Sequence, residues 1–138
     1  MTQPNVMQMN ALSVVQAAYK NFAAGDIEAL LEQMDQSIHW QLPRVEGARI
    51  TGTRTGRDAV RRFFGELAED QESVVFEPRE FVADGDRVVT LGHYIWKIRA
   101  TGKQFESDFA HVFTVRDGRV DSFTEFFDTA ASEQAYKA

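Results

Sequence analysis

The chain has 138 residues, 43% of them hydrophobic, with 11 phenylalanines and a net charge of −6. This length fits one domain with a substantial core, so residues 1–138 are expected to form a single domain. The acidic balance argues against nucleic-acid binding, which needs clustered cations facing phosphate. The absence of cysteine excludes disulfides, thiolate catalysis and sulfur metal sites.

No apolar run in the sequence reaches the length that a membrane-spanning helix needs. Nothing near Met1 has the pattern of a secretory signal peptide. We therefore expect no membrane association and a cytoplasmic location.

The N-terminal half predicts three helices. Apolar residues recur at helical spacing from Leu12 to Phe22, and Gly25 marks the end of this first helix. Asp26 can cap a second, short helix whose apolar residues extend to Met34. The third helix carries its apolar face at Val60, Phe63, Phe64 and Leu67.

Strands are predicted between the second and third helices and throughout the second half. Ile38, Trp40 and Leu42 alternate with polar residues, which is the pattern of a half-buried strand. Four further strands, separated by glycine-containing turns, are expected at residues 74–83, 86–99, 104–116 and 119–128. Helices followed by an antiparallel sheet predict an α+β fold with the helices on one face of the sheet.

The sequence lacks the motifs that hold common cofactors or nucleophiles. It has no G-x-S-x-G elbow, and the stretch TGTRTG lacks the Gly-Lys-Ser/Thr of a P-loop and the context of a dinucleotide fingerprint. His39, His93 and His111 are not at local metal-ligand spacing. We therefore expect neither a cofactor nor a metal.

Arginines are concentrated between Arg44 and Arg62. They could form a basic rim that attracts an anionic substrate. They could also form a solvated loop and helix face, which is the simpler interpretation because arginine is usually at the surface.

Three stretches carry a resemblance to a known family: YKNFAAGDIEALLEQMDQSIHWQLP, then GRDAVRRFFGEL, then TGKQFESDFAHVFTVRDGRVDSFTEFFD. In this order they resemble a SnoaL-like domain. That domain belongs to the nuclear-transport-factor-2-like superfamily, which includes ketosteroid isomerase, scytalone dehydratase and limonene epoxide hydrolase. The resemblance covers nearly the whole chain, and it is specific for the fold rather than for one reaction.

The resemblance implies a cone, in which a curved, mixed or antiparallel sheet wraps around the three N-terminal helices. It also implies an apolar pocket open at one end of the cone. Members commonly pair through the sheet, so a homodimer is expected. Such a pocket makes an apolar or carbonyl-containing small molecule the expected partner.

Catalytic residues of the relatives carry over one at a time. The general-base aspartate of the isomerase falls at or beside Trp40, and its oxyanion-hole tyrosine falls one residue before Tyr19. Its second, buried acid falls at His111. The aspartate of the SnoaL-type cyclases falls at Glu125, seven residues after Gly118. A steroid-isomerase mechanism is therefore not expected, whereas Glu125 can take the role of the cyclase aspartate.

Whether His111 and Glu125 share a face of the sheet depends on the turn between their strands. A two-residue turn would send the two side chains to opposite faces. A three-residue turn, Arg116–Gly118, pairs Val115 with Arg119 and puts both side chains on the aromatic face. The second arrangement is expected, because it gathers the aromatic residues around the two polar ones.

His111 and Glu125 are the candidate catalytic residues. Such a pair can take a proton from carbon or water and return it elsewhere, as isomerisation, aldol cyclisation and dehydration require. Alternatively, His111 is a core histidine that only satisfies its own hydrogen bonds. The residues expected to line a substrate pocket are Tyr19, Phe22, Trp40, Phe63, Phe109, Phe113 and Phe123.

Two classes of function stay open at this point. The first is a cofactor-free isomerase, cyclase or dehydratase acting on a hydrophobic carbonyl compound. The second is a non-catalytic protein that binds an apolar ligand, or a dimerising module with a vestigial pocket. An enzyme should bring both polar side chains to a cavity, whereas aromatic side chains should fill a vestigial pocket.

Overall fold

The computed structural model describes residues 3–138, with side chains described from residue 11 onward. This part of the chain contains four helices and six strands. In chain order they are α1 (Gln3–Ala23), α2 (Ile27–Glu32), β1 (Met34–Leu42), β2 (Gly52–Thr55), α3 (Arg57–Asp70), β3 (Gln71–Asp84), β4 (Arg87–Ile98), β5 (Gln104–Arg116), β6 (Arg119–Phe127) and α4 (Thr129–Tyr136).

The strands form one curved, mixed sheet in the order β2-β1-β6-β5-β4-β3. Only the pairing of β1 with β6 is parallel, whereas the other neighbours described here are antiparallel. Helix α1 packs across β3, β4, β5 and β6, and α3 packs against β1, β2 and β3. The predicted α+β fold class is therefore confirmed.

Buried apolar side chains on the helix-covered face form two neighbouring clusters. Phe22 of α1 and Leu67 of α3 pack against both clusters. The two helices therefore join the halves of the core. Among the described residues, no helix is both long enough and apolar enough to cross a membrane.

The structure differs from the sequence prediction at the end of α2. Met34 does not end this helix but begins β1, where it lies opposite Val120 of β6. The Met34 carbonyl accepts two hydrogen bonds from the Arg57 guanidinium, and the backbone N–H of Val120 donates to the carbonyl of Gln33 at 2.8 Å. These bonds come from residues far away in the chain, so the local apolar pattern could not reveal them.

Two elements were not predicted at all. Strand β2 lies in the glycine- and threonine-rich loop and pairs with β1, with Thr55 opposite His39. Helix α4 follows Asp128, whose side chain accepts a hydrogen bond from the backbone N–H of Ala131 at 3.1 Å. The helices are therefore not confined to the N-terminal half. Asp128 as an N-cap was a readable signal for α4.

The turn between β5 and β6 contradicts the expected three-residue loop. Asp117 and Gly118 both have positive φ angles, 53° and 76°, and Arg116 lies opposite Arg119. This is a two-residue turn of the kind that matches the twist of the flanking strands. Glycine adopts such angles readily, and aspartate does so more easily than most residues.

A β-bulge in β6 returns the His111 and Glu125 side chains to the same face of the sheet, although the two-residue turn alone would have put them on opposite faces. The register shifts between Thr114 and Val115, so that Asp121 is an extra residue in β6. Beyond the bulge, His111 lies directly opposite Glu125. The two side chains therefore share a face as expected, but for a different structural reason.

Candidate functional site

Four polar side chains form a hydrogen-bonded chain on the helix-covered face of the sheet. Tyr19 Oη lies 2.6 Å from His111 Nδ1, and His111 Nε2 lies 2.8 Å from Glu125 Oε2. Tyr94 Oη donates to the same Glu125 oxygen at 3.1 Å. His111 is only 4% exposed. The four residues come from α1, β4, β5 and β6, so tertiary packing is what brings them together.

For a neutral imidazole beside an ionised carboxylate, the donor and acceptor capacity of the groups fixes the position of each proton. Glu125 Oε2 accepts from Tyr94, and it is the acceptor for the Nε2–H of His111. A neutral imidazole that carries its proton on Nε2 can only accept at Nδ1, so the Tyr19 hydroxyl donates to Nδ1. The hydrogen bonds therefore run from Tyr19 through His111 to Glu125, with Tyr94 as a second donor.

Aromatic rings fix the imidazole of His111 in place. The ring stacks on Phe109 with centroids 4.2 Å apart, and its plane lies within 8° of that of Tyr19. Phe123 lies at 4.9 Å and Phe113 at 6.2 Å on the remaining sides. Such packing restricts the rotamers of His111, which keeps both ring nitrogens directed at their partners.

Burial has a large effect on Tyr19 and Tyr94, the two tyrosines of the hydrogen-bonded chain. It raises the pKa of Tyr19 far above the ordinary value; the hydroxyl of Thr90 acts in the opposite direction, and the charge of Glu125 adds to the rise. Burial, followed by the charge of Glu125, raises the pKa of Tyr94 in the same way. Both phenols are therefore neutral O–H donors at neutral pH.

Two small cavities flank the pair of His111 and Glu125. The first cavity has a volume of about 80 Å³ and an apolar wall. It is bordered by Ala18, Tyr19, Phe22, Leu30, Trp40, Phe64, Leu67, Phe76, Trp96, His111, Phe113 and Phe123. The second cavity has a volume of about 60 Å³ and a wall that includes polar atoms. It is bordered by Leu42, Val45, Ala48, Ile50, Thr51, Phe63, Leu67, Gln71, Tyr94, Trp96, Phe105, Glu125, Phe127 and Ser132.

The residues predicted to line a substrate pocket are divided between these places. Those at the first cavity are Tyr19, Phe22, Trp40, Phe113 and Phe123. Phe63 instead borders the second cavity, and Phe109 borders neither, because its ring lies against His111. The indole N–H of Trp40 is buried and has no acceptor among residues 3–138.

Comparison with known proteins identifies the family. Residues 15–123 match the SnoaL-like domain. The chain belongs to the SnoaL-like family. No protein of curated function matches the sequence.

Solved structures support the same superfamily. A nuclear-transport-factor-2-like protein from Burkholderia xenovorans LB400 is 30% identical, with a TM-score of 0.86 over 94% of this chain and 98% of that one. A second such protein, from Burkholderia thailandensis E264, is 29% identical, with a TM-score of 0.85 over 93% and 98%. TerC, co-crystallised with polyporic acid, is 28% identical, with a TM-score of 0.80 over 94% and 99%.

Tyr94 is the member of the site that the sequence did not assign to it. Its neighbour across the sheet is Ser107, and the side chains of both point to the helix-covered face. The register of the turn between β4 and β5 decides this facing, and that register could not be read from the sequence alone.

His93 lies on the opposite, outer face of the SnoaL-like sheet. Its Nδ1 is 2.8 Å from Asp108 and its Nε2 is 2.7 Å from Glu106. The bonds to Asp108 and then to Glu106 raise the pKa of His93 above the ordinary value. Among the residues that the structure describes, no group of three histidine, aspartate or glutamate side chains could hold a metal ion.

The arginine-rich stretch is largely neutralised by carboxylates. Arg49 pairs with Glu69 and Asp70, at 2.6 and 2.8 Å. Arg54 pairs with Glu66 at 2.6 Å, and Arg61 bonds Glu28 and Asp58, at 3.0 and 2.6 Å. Arg57 donates to the carbonyl of Met34. These contacts favour a structural, solvated face over a rim that attracts anions.

Proposed function

We propose that this SnoaL-like protein is a cofactor-free acid/base enzyme of the isomerase, cyclase or dehydratase type. Its substrate would be a small hydrophobic compound that carries a carbonyl group. The observation that supports this proposal is the buried chain of Tyr19, His111, Glu125 and Tyr94 beside two cavities. Perturbed, mutually bonded titratable groups next to cavities are typical of active sites.

Proton transfer is the chemistry for which such a chain is suited. Glu125 can accept a proton, and His111 can share the resulting change in charge through its bond to Oε2. Tyr19 and Tyr94 supply hydrogen bonds that hold the imidazole and the carboxylate in position. Each of the three reaction types needs a proton to be removed at one atom and returned at another.

Cavity size limits the substrates that can enter without rearrangement. An engineered cavity of about 150 Å³ holds benzene, and drug-sized ligands occupy sites of about 300 Å³ or more. Both cavities, at about 80 and 60 Å³, are smaller than either. Only a compound smaller than benzene therefore fits without movement of the surrounding side chains. TerC, which has a related fold, was co-crystallised with polyporic acid, and this supports an organic compound as the ligand.

A second candidate function is ligand binding without catalysis. The unsatisfied indole N–H of Trp40 favours it, because a buried donor without an acceptor costs roughly 1–3 kcal/mol. An acceptor atom of a bound apolar ligand could satisfy that donor beside the first cavity. In this case the hydrogen-bonded chain of Tyr19, His111, Glu125 and Tyr94 would only satisfy its own polar groups within the core.

The outer face of the sheet is proposed to pair with a second copy of the chain. Val82, Leu91 and Phe126 lie on this face and are 56%, 40% and 54% exposed. Exposed apolar residues grouped on one face are typical of interaction surfaces. A homodimer would bury them and leave the polar chain, on the other face, unchanged.

Exchange of α-protons for deuterium in acetone, an enolisable ketone smaller than benzene, tests the enzymatic proposal. The wild-type protein should accelerate this exchange, and Glu125→Gln should lower the rate by about a hundredfold, the usual range for acid/base groups. Proton NMR in D₂O measures the rate, and Glu32→Gln, on the exposed surface of α2, is the matched control. Equal rates for wild type, Glu125→Gln and buffer would exclude acid/base catalysis and favour the binding protein.

A further inference from the structure

The two carboxylate oxygens of Glu125 have unequal roles. Oε2 lies 2.8 Å from His111 Nε2 and accepts from Tyr94 Oη at 3.1 Å. Oε1 receives no hydrogen bond from residues 11–138, whose side chains the structure describes. A carboxylate oxygen can accept about two hydrogen bonds. Oε1 is therefore the carboxylate oxygen of Glu125 that still has its full capacity to accept hydrogen bonds.

The walls of the two cavities differ in polarity. His111 and Tyr19 border the first cavity, yet its wall is apolar, because their polar atoms are turned toward each other. Glu125 borders the second cavity, together with Thr51 and Gln71, and polar atoms reach its wall. A polar group of a ligand would therefore find partners in the second cavity rather than in the first.

We propose that the second cavity is the substrate site and that Glu125 Oε1 exchanges protons there with a small enolisable carbonyl compound. This inference rests on the acid/base function proposed above and assigns that function to one of the two cavities. His111 and Tyr94 are then positioning residues, since both bind Oε2 and leave Oε1 directed at the substrate.

The proton-transfer step balances without a cofactor. The C–H bond next to the carbonyl breaks, its proton forms an O–H bond at Oε1, and the electron pair moves to the carbonyl oxygen as an enolate. The hydroxyl of Thr51, which borders the same cavity, is available to donate to that oxygen. Return of the proton from Oε1 to carbon or oxygen regenerates the carboxylate.

The outer wall of the second cavity comes from parts of the chain that the sequence did not link to the site. Val45, Ala48 and Ile50 lie in the loop between β1 and β2, and Ser132 lies in α4. The backbone N–H of Glu46 donates to the carboxylate of Glu133 at 3.0 Å, which ties this loop to α4. The loop and α4 together thus close the cavity over Glu125.

Two matched substitutions distinguish the cavities. Ala48→Leu adds side-chain volume at the second cavity, and Ala18→Leu adds the same volume at the first. With acetone as the probe, Ala48→Leu should slow deuterium exchange roughly tenfold or more, as steric changes in a pocket do. Ala18→Leu should keep the wild-type rate. Thermal unfolding confirms that both variants are folded, and Thr51→Val, which removes a hydroxyl at nearly constant volume, provides a second test if Ala48→Leu does not fold.

Each of the other outcomes contradicts either the choice of cavity or the acid/base function itself. Loss of exchange in Ala18→Leu alone, in both leucine variants or in neither would exclude the second cavity as the site. If Ala48→Leu does not fold, an unchanged exchange rate in Thr51→Val would also exclude the second cavity as the site. If Glu125→Gln is inactive and Ala48→Leu is fully active, the acid/base function is supported, but the assignment of the substrate to the second cavity is wrong. A wild-type protein no faster than buffer would remove the proposed function itself.

Discussion

At the scale of single residues, chemically similar groups in the site have different hydrogen-bond partners. Tyr19 and Tyr94 are both buried phenols, yet Tyr19 contacts the imidazole and Tyr94 contacts the carboxylate. His111 joins them because its two nitrogens face different partners. Among the described residues, nothing donates to the second carboxylate oxygen of Glu125, Oε1. The geometry of the acceptors, rather than the types of residue, thus indicates where a substrate would bind.

The tyrosines provide a prediction about pH. The pKa of Tyr19, Tyr94 and Tyr136 is raised above the ordinary 10.0, in each case chiefly by burial. Above pH 10 the unfolded chain therefore loses phenolic protons that the folded protein retains, so stability should fall as the pH rises further. At pH 10.0, tyrosinate absorbance should be well below half of its maximum in the folded protein and near half in urea. Coinciding titration curves in the two states would contradict the burial of these phenols.

At the scale of elements, much of the fold could be read from local patterns. The period-two alternation at Ile38–Leu42 and the Asp-Gly turns located strands, because facing and turn geometry are local properties. What could not be read depended on distant partners: the start of β1 at Met34, the pairing of β2, and the bulge at Asp121. The facing of His111 and Glu125 was correct, although the predicted turn was wrong, because the bulge compensates for the shorter turn.

Gly92 in β4 allows a close contact behind the site. A Cβ atom at this position would meet the ring of Phe109 and the carbonyl oxygen of Glu77, and Phe109 stacks on His111. We therefore expect Gly92→Ala to lower the free energy of unfolding by about 1–3 kcal/mol, as overpacking does. Urea unfolding measures this change.

Gly65 in α3 is the matched control for Gly92. A Cβ atom there would meet no atom within 4 Å. Gly65→Ala should raise the free energy of unfolding by roughly 0.5–1 kcal/mol, because alanine is the better helix former. Equal stability of Gly92→Ala and wild type would show that Phe109 is not held as tightly as the structure indicates.

At the scale of the whole molecule, the curved sheet separates two tasks. Its helix-covered face carries the polar chain and both cavities, whereas its outer face carries exposed apolar residues and the His93 cluster. This division lets a SnoaL-like chain pair with another copy without covering the proposed site.

The proposed dimer gives a prediction for the assembly. In sedimentation equilibrium the wild-type protein should have twice the chain mass of 15.6 kDa, and Phe126→Asp should have the mass of one chain. A buried charge without a partner at the interface is the reason. Ala68→Asp, on the exposed side of α3, should remain dimeric. A wild-type monomer at micromolar concentration would exclude pairing through this face.

The hydrogen-bonded chain from Tyr19 to Tyr94 is central to the proposed function, and the imidazole of His111 reports on it directly. Its ring ¹⁵N and ¹H resonances can be recorded at about pH 8, where histidine is ordinarily neutral. In the wild-type protein we expect the ring proton on Nε2, with a downfield resonance. In Glu125→Gln this resonance should shift upfield, because an amide is a weaker acceptor than a carboxylate. In Tyr19→Phe the Nδ1 resonance should change. A proton on Nδ1, or ring resonances unchanged in both variants, would contradict the chain and leave His111 as an isolated core histidine.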